Sequence, residues 1–561
     1  MTEIHSVRPL AAILLAFGTI VLVVLLRRRK QIRHAVTVGS AVLTFGIVAS
    51  LIQPVQQGQT PTTNLGTLVG TVDLSFQADP LGLIFALTVS GLWVVTAIYN
   101  IGFVDRDGLT DRTRYLAALW LSIGSGLGVA FASNLLVLVL FYELTTIGTY
   151  PLVAHYGTKR ARQVGIEYVW YVIGGGTLVV GGTVIIYSLA GTVTFVPGGI
   201  PELAWVGTDM SLAAYAAILS LLAGFAVKGA VMPFHGWLPK AMVAPTTVSG
   251  VLHAVVVVKS GVFGIARTVL EIFGPEATAA MGVAIPLAAV AGVTIIVGSL
   301  LALKQDDLKR RLAYSTISHL SYVVFGVALL TPAAVVGGLV HIGAHGITKL
   351  ALFFCVGVLT IETGKKKVSE IAGVGREYPV TMGVFALGAC SLAGLPLFAG
   401  FVGKWYLLVG SAESHWAVPF VFVLSGALNV AYFWPIVYAA FFETAETADP
   451  KPIIDGPLGG RAGTAAKGRD SAADEDPTAT TDGGPTDKQP DEPDQHKSAN
   501  EKAKAGQAHP ANTLYKGSPT LLGALALLGV LIITFGILPG EFALFDLAKQ
   551  AAEASVGEVF G

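Results

Sequence analysis

Apolar residues run through this chain in long blocks that are separated by short polar segments. A hydrocarbon core of about 30 Å is crossed by about 20 apolar helical residues, and blocks of that length recur from residue 9 to residue 540. The weaker period-2 alternation of an outer-membrane barrel is not the dominant pattern. The sequence therefore predicts an all-α polytopic membrane protein with about 14 transmembrane helices, at residues 9–26, 35–53, 80–100, 115–132, 134–154, 167–190, 211–232, 242–268, 280–303, 313–330, 333–360, 380–409, 415–442 and 518–540.

Lysine and arginine are concentrated in alternate loops. A basic cluster follows the first block, whereas loops 54–79, 191–210 and 269–279 contain neither residue type. The positive-inside rule places the basic loops in the cytoplasm and both termini outside the cell. Because the basic cluster follows the first block instead of preceding it, that block is predicted to be a retained helix and not a signal peptide.

Composition narrows the class of protein further. Hydrophobic residues make up 53% of the chain and charged residues 13%, and the formal net charge is zero, so no nucleic-acid partner is indicated. The two cysteines, Cys355 and Cys390, lie in apolar blocks and say nothing about the redox compartment. Residues 443–516 are instead rich in Asp, Pro, Thr, Gly and Ala and predict a disordered cytoplasmic linker, with a docking site for a partner subunit as the alternative.

Charged and titratable side chains interrupt several of the apolar blocks. They are Glu143, Lys228, Lys259, Lys349 and Lys404, together with His253, His341 and His345. A charge at the bilayer centre costs about 3 kcal/mol on insertion scales, and such residues commonly mark ion or proton pathways. A chain that keeps several of them is predicted to move charge across a membrane.

Two of the lysines lie beside glycine and proline residues. Lys228 precedes Pro233, and Lys404 follows Pro396, each within a Gly-containing stretch of an apolar block. Proline removes a backbone donor, and a broken helix beside a charge forms the ion site of many transporters. The alternative is that each lysine extends its ammonium group to a membrane interface.

Glu143 lies nine residues after Asn134, which places its carboxylate about 13 Å along a helix and near the middle of the bilayer. An unpaired carboxylate at that depth would be protonated, whereas a lysine from another helix would keep it ionised. A purely structural ion pair is the alternative, although buried pairs are weak stabilisers.

His341, His345 and Lys349 recur at intervals of four and are expected on one face of a helix. Two histidines at this spacing suit a metal ion, but no carboxylate or cysteine lies near enough in sequence to complete a metal site. A proton relay fits better, because histidine titrates near neutrality. His253 and Lys259 are expected on neighbouring faces of another helix, with a hydrogen-bonded core histidine as the alternative for His253.

The remaining motifs indicate packing and not catalysis. The run Gly174–Gly176 lies within an apolar block and is predicted to allow close helix contact instead of binding phosphate. The sequence contains no metal cluster, redox-centre spacing or nucleophile triad, so neither a cofactor nor a metal is expected and no motif indicates an enzyme.

The chain resembles the antiporter-like family shared by Mrp-type multisubunit cation/proton antiporters and the membrane arms of respiratory complex I. The resemblance covers residues 70–440 and rests on several long motifs in the family's order. They are Phe141–Thr145, Met232–Thr246 continuing to His253 and Lys259, Asp307–Ser318, and His341–Lys349.

This resemblance implies two inverted five-helix repeats, with broken helices at the seventh and twelfth spans. The implied organisation is N-terminal helices at 1–110, a first repeat at 111–270, a second repeat at 271–442, the linker at 443–516 and a last helix at 517–561. Glu143 and Lys228 would form the ion pair of the first half-channel, and His253 and Lys259 a connecting relay. His341, His345 and Lys349 would form the central axis, and Lys404 the outlet.

The resemblance leaves three functions to compare. The first is a proton-conducting subunit of an Mrp-type Na⁺/H⁺ antiporter in the plasma membrane, with other membrane subunits, protons and Na⁺ as partners. The second is a proton-translocating subunit of complex I, and the third a membrane scaffold, which the intact Glu143, Lys228 and Lys404 disfavour. The 232–259 region resembles the largest Mrp subunit or its complex I counterpart, whereas the chain length favours the shorter D-type Mrp subunit or the corresponding complex I subunit.

Overall fold

The structure, a computed structural model, describes residues 2–204, 211–444 and 518–557. Within these residues the chain is mostly helical, as the sequence predicts. Its first seven helices are α1 (Arg8–Leu25), α2 (Lys30–Ala49), α3 (Ile52–Gln56), α4 (Pro80–Arg106), α5 (Arg112–Phe131), α6 (Leu135–Val153) and α7 (Lys159–Ala190). Side chains of polar residues cap several of them: Asn134 accepts a hydrogen bond from the Val137 amide at the start of α6.

The helices in the middle of the chain are shorter and more often interrupted than those of the first part. Its helices are α8 (Leu212–Gly229), α9 (Trp237–Lys240), α10 (Thr246–Gly250), α11 (Val257–Arg267) and α12 (Gly274–Ala280). Two π-helical segments, Val251–Val255 and Thr268–Ile272, flank α11. Short 3-10 turns lie at Pro201–Leu203, Phe234–Gly236 and Ala241–Val243.

The second half contains the remaining helices. They are α13 (Ala284–Leu303), α14 (Leu308–Ala328), α15 (Pro332–Thr363), α16 (Val374–Glu377), α17 (Pro379–Ala393), α18 (Ala399–Ser414), α19 (Pro419–Phe442), α20 (Pro519–Ile537) and α21 (Ala543–Val556), with 3-10 turns at Val368–Glu370 and Pro539–Glu541. Both predicted Gly/Pro interruptions are breaks: α8 ends at Gly229, and Gly394 to Phe398 separate α17 from α18.

Twelve spans among the described residues are long and apolar enough to cross a membrane. All fourteen predicted positions contain helix, but two of them fall outside this set. α14 begins with Lys309, Arg310 and Arg311, and the twelfth predicted span is divided into α17 and α18. The count of fourteen crossings, the two inverted repeats and the domain boundaries therefore stay predictions, and the predicted linker lies, from residue 445 onward, outside the described residues.

A small sheet, which the apolar pattern does not predict, is formed by residues near the start of the chain and two strands in the loop assigned to residues 54–79. Its strands are β1 (Thr2–His5), β2 (Gln59–Val69) and β3 (Val72–Gln77), in that order. β1 pairs with β2 in parallel, with Thr2 opposite Gln59, and β2 pairs with β3 in antiparallel fashion. Isolated bridges join Phe76 to Ala132 and Asn134 to Thr194. The end of the bundle that contains this sheet and these bridges is named here the strand face, and its loops lack lysine and arginine.

The basic loops meet at the opposite end of the bundle, here named the basic face. Asp105 pairs with Lys30 at 2.8 Å and with Arg112 at 2.9 Å. Arg106, the last residue of α4, pairs with Glu362 in the last turn of α15. The alternation of loop charge along the sequence thus corresponds to two opposite ends of the helix bundle.

Two helical segments form the centre of the bundle. Every residue from Thr246 to Ile272 is buried, and so is every residue from Ala333 to Leu359 in α15. Most titratable residues singled out by the sequence lie on these two segments. Enclosure by other helices keeps those side chains away from lipid.

Candidate functional site

The first group of site residues lies where α6, α7 and α8 meet. Lys228, fully buried near the end of α8, donates hydrogen bonds to the Tyr142 carbonyl and, at 3.0 Å, to Thr145 Oγ1 of α6. Its ammonium nitrogen lies 3.4 Å from the centre of the Tyr142 ring. A buried cation is thus held by a carbonyl, a hydroxyl and an aromatic face.

Glu143 is next to this lysine but is not bonded to it. Among the described residues, no ion pair within 4.0 Å joins Glu143 to Lys228, although the two charges interact electrostatically. The ion pair implied by the family resemblance is therefore not a direct contact in this structure. Glu143 Oε1 is buried and has no hydrogen-bond partner in the described part of the chain, and the carboxylate lies against Gly176 of α7.

The glycine run predicted to allow close helix contact does so at two of its three positions. A Cβ at Gly175 would lie 2.9 Å from the Gly224 carbonyl of α8, and one at Gly176 would overlap the Glu143 carboxylate. A Cβ at Gly174 would meet nothing within 4 Å. Gly175 brings α7 against α8, and Gly176 leaves room for the carboxylate.

Lys259 connects the two central segments. Its ammonium group donates a 2.6 Å hydrogen bond to the Ile342 carbonyl of α15 and lies against Gly346. His253 lies in the π-helical segment before α11, and the centre of its ring is 4.9 Å from that of Phe353. Neither ring nitrogen of His253 has a hydrogen-bond partner in residues 2–204, 211–444 or 518–557. No hydrogen bond links Lys228 to either residue in the part of the chain that the structure describes.

A histidine cluster lies between α14 and α15. His341 Nε2 is 3.2 Å from His319 Nδ1, and His319 Nε2 is 3.2 Å from Asn429 Oδ1 of α19. The ring of His345 is centred 5.6 Å from that of His319 and 5.9 Å from that of His341. The predicted pair on α15 is therefore part of a three-histidine cluster.

His319 and Asn429 are site residues that were not predicted from the sequence. His319 lies within the predicted span 313–330, so the criterion applied to His253, a titratable side chain inside an apolar block, identifies it as well. Asn429 had no such signal, because a neutral amide in an apolar helix is not distinguished from a packing residue until its partner is known.

Lys349 joins the same cluster through a series of hydrogen bonds. It donates to Ser315 Oγ at 2.8 Å and to the Leu312 carbonyl at 3.3 Å. The Tyr432 hydroxyl donates to Ser315 Oγ at 3.0 Å and also contacts Asn429 Oδ1. Lys349, Ser315, Tyr432, Asn429, His319 and His341 thus form one buried hydrogen-bonded chain, named here the central chain.

Lys404 lies beside the central chain. Its ammonium nitrogen donates to the Leu392 carbonyl at the break between α17 and α18, and its stem lies against Gly394. The same nitrogen is 5.3 Å from the centre of the Tyr322 ring, which packs edge-on against His341 at 5.2 Å. The predicted outlet residue is therefore adjacent to the histidine cluster through one aromatic ring.

Several buried polar atoms in this region lack a hydrogen-bond partner among the described residues. They include both ring nitrogens of His253 and His345, Nδ1 of His341 and Nδ2 of Asn429. Buried polar atoms of this kind usually bind ordered water. Within the described ranges, no three His, Cys, Asp or Glu side chains are grouped to hold a metal ion.

Comparison with known families and proteins identifies relatives of this chain. Residues 132–429, more than half of the chain, match the family described as "NADH:quinone oxidoreductase/Mrp antiporter, TM". The A subunit of the Na⁺/H⁺ antiporter of Alkalihalophilus pseudofirmus is 32% identical over 353 residues, which are 59% of this chain and 42% of the relative. The chain thus spans less than half the length of this antiporter relative.

A second relative comes from a respiratory enzyme, and a solved structure shares the fold. The N subunit of the NADH-quinone oxidoreductase of Desulforudis audaxviator is 30% identical over 373 residues, covering 65% of this chain and 72% of the relative. A chain of the Mrp complex from Dietzia sp. DQ12-45-1b superposes with a TM-score of 0.77, covers 99% of this chain and all of its own, and is 20% identical. At that identity the likeness concerns the fold alone.

Proposed function

Because the chain belongs to the NADH:quinone oxidoreductase/Mrp antiporter transmembrane family, we propose that it is a proton-conducting subunit of a multisubunit Mrp-type Na⁺/H⁺ antiporter. It is a multi-pass membrane protein whose relatives include antiporter subunits. The proposal assigns proton conduction to Glu143, Lys228, His253, Lys259, His341, His345, Lys349 and Lys404, and adds His319, Ser315 and Tyr432, with Asn429 as a positioning residue.

The observation that carries this proposal is the central chain. A hydrogen-bonded series that begins at Lys349 and ends at His341 runs between fully buried helices. Hydroxyl and imidazole groups both donate and accept hydrogen bonds, so a proton can pass along them when each group reorients. The Asn429 amide oxygen only accepts, from Tyr432 and from His319, so Asn429 positions these two groups and a bound water carries the proton between them. A core that only needed packing would keep fewer unpartnered polar atoms, because each costs about 1–3 kcal/mol when buried.

Glu143 and Lys228 supply the adjustable pair in the proposed mechanism. With Lys228 bonded to Tyr142 and Thr145, no cation of the described residues contacts the Glu143 carboxylate directly. Movement of the Lys228 ammonium group to Glu143 would favour the charged forms of both side chains. Its return to Tyr142 and Thr145 would favour release of a proton from Lys228. The two arrangements give a pair whose proton affinity depends on their separation.

Sidedness follows from the loop charges. The proposal places the basic face in the cytoplasm, by the positive-inside rule, and the strand face outside. Both ends of the chain then lie outside the plasma membrane. Lys404 would exchange protons on the outward-leading side of the second half.

Membership of complex I is the second candidate function. The relative in Desulforudis audaxviator belongs to an NADH-quinone oxidoreductase, and this chain covers more of that relative than of the antiporter relative. In that setting redox chemistry would occur in other chains, and this chain would conduct protons through the same residues. Neighbouring genes separate the two functions: small antiporter subunits support the first, and quinone-reductase subunits the second.

Everted membrane vesicles that contain the complete native complex test the proposal. The expected result is a collapse of a preformed pH gradient when Na⁺ is added, which is absent when this subunit is deleted. NADH-driven proton uptake that depends on this subunit, without any response to Na⁺, would establish the complex I function instead. If an assembled complex shows neither response, proton conduction by this chain is contradicted.

A further inference from the structure

A buried ion network lies at the strand-face end of the most enclosed segment. Arg267, at the end of α11, has no solvent exposure. It donates to both carboxylate oxygens of Asp79, at 2.9 and 3.0 Å, and to Oε2 of Glu271. Two carboxyl groups thus share one guanidinium.

This network forms one wall of a cavity of about 540 Å³. Glu3, Gln77, Asp79 and Glu271 supply polar groups to its lining, and Phe195 closes one side. Glu3 is exposed, so the cavity opens at the strand face. Three carboxylates therefore line a space that connects the buried network with the surface.

Glu271 has one oxygen available to this cavity. The residue is only 5% exposed, and Arg267 engages its Oε2. Its Oε1 accepts no hydrogen bond from any described residue. Asp79, by contrast, accepts bonds at both oxygens, from Arg267, Gln77 and the Gly82 amide. Glu271 is therefore the carboxylate in this network that is free to bind and release a proton.

The network lies on the same continuous segment as His253 and Lys259. Lys259 and Glu271 are separated by twelve residues, about 18 Å along a helix. His253 and Glu271 each lie in one of the two π-helical segments that flank α11. π-Helical turns are rare and frequently occur at functional sites.

We propose that Glu271 is the proton-exchanging carboxylate of a second outlet, at the strand-face end of the segment that carries His253 and Lys259. Asp79 and Arg267 are its positioning residues. Glu271–COOH loses a proton to water in the cavity, and Arg267 stabilises the resulting carboxylate. Water carries the next proton from protonated Lys259, which becomes neutral, to the Glu271 carboxylate. This inference rests on the proposed proton-conducting function and adds an outlet separate from Lys404.

The test uses the complete complex in everted vesicles, with Na⁺-induced pH change as the readout. Glu271→Gln keeps the side-chain shape but cannot exchange a proton, so Na⁺-dependent exchange is expected to fall to the background of vesicles without the complex. Glu276→Gln removes an exposed carboxylate five residues further along the chain that does not line the cavity, and should exchange at the wild-type rate. Exchange at the wild-type rate in assembled Glu271→Gln would overturn the proposal.

A second measurement keeps the proposal testable if Glu271→Gln does not assemble. Glu271→Cys, in a chain with Cys355→Ala and Cys390→Ala, is treated with a membrane-impermeant maleimide in right-side-out and everted vesicles. Labelling in right-side-out vesicles alone is expected; labelling from neither side, or only in everted vesicles, would overturn the outlet. Absence of exchange in the wild-type complex would instead refute the proposed function, so the two failures are distinguishable.

Discussion

The carboxylate of Glu143 occupies the space that a side chain at Gly176 would need. Glu143 lies on α6 and Gly176 on α7, so a residue without a side chain on one helix sets the position of a charge on the next. The same relationship recurs between Gly346 and the Lys259 ammonium, and between Gly394 and the stem of Lys404. Each of these charges is held in a space that would close if the glycine carried a methyl group.

Gly176→Ala should therefore displace the Glu143 carboxylate. Overpacking of this kind costs about 1–3 kcal/mol of stability, and the displacement should reduce Na⁺-dependent exchange toward that of Glu143→Gln, which is expected to abolish exchange in an assembled complex. The measurement is the initial rate of pH change in everted vesicles, normalised to the amount of complex. Gly174→Ala and Gly181→Ala are matched controls on the same helix, because nothing lies within 4 Å of a Cβ at either position.

If the control variants lose exchange as strongly as Gly176→Ala, the effect comes from the helix and not from the carboxylate. Normal exchange in Gly176→Ala, with the complex assembled, would show that the position of Glu143 does not matter.

Substitutions of Lys404 can distinguish a side chain that carries protons from one that is only a fixed charge. Lys404→Ala should stop exchange because it removes the ammonium group. Lys404→Arg should also stop it, because a guanidinium does not deprotonate in proteins. Arginine also has to fit where the lysine stem lies against Gly394. Lys240→Arg is the control: Lys240 is exposed and paired with Glu167, so exchange should be unchanged. Full exchange in Lys404→Arg would make Lys404 a structural cation and its assignment as an outlet wrong.

The contact between His319 and His341 predicts a coupled pair. Replacement of either by alanine interrupts the central chain at the same 3.2 Å contact, so His319→Ala and His341→Ala should each reduce exchange strongly. The double variant should be no worse than the more severe single variant, since residues that act as one unit are non-additive. His155→Ala, a buried histidine at the basic face, is the control. Multiplied effects in the double variant would show that the two histidines act independently.

The titratable residues were predictable from the sequence because a charge within a long apolar block is conspicuous. Helix positions and the two breaks followed from apolar run length and from Gly and Pro, which act locally. The small sheet was missed because β1 pairs with a strand more than fifty residues away, and pairing at that distance leaves no local pattern.

The partners of the titratable residues were not predictable. Lys228, Lys259 and Lys404 bind backbone carbonyls of Tyr142, Ile342 and Leu392, and a carbonyl carries no sequence signal. The Arg267–Asp79 pair joins residues 188 positions apart. Asp79 and Arg267 both lie at the boundary of an apolar block, where a charge is expected at a membrane interface. Neither residue was therefore distinguished as a candidate site residue.

Lys349→Ala examines whether protons pass through the central chain, on which the proposed function depends. This substitution removes the group that donates to Ser315 at one end of the chain and leaves the histidine cluster in place. Everted vesicles with the complete complex are energised, Na⁺ is added, and the initial rate of pH change is measured beside the amount of assembled complex. We expect an assembled complex with no Na⁺-dependent exchange. Exchange at the wild-type rate would contradict proton passage through these residues.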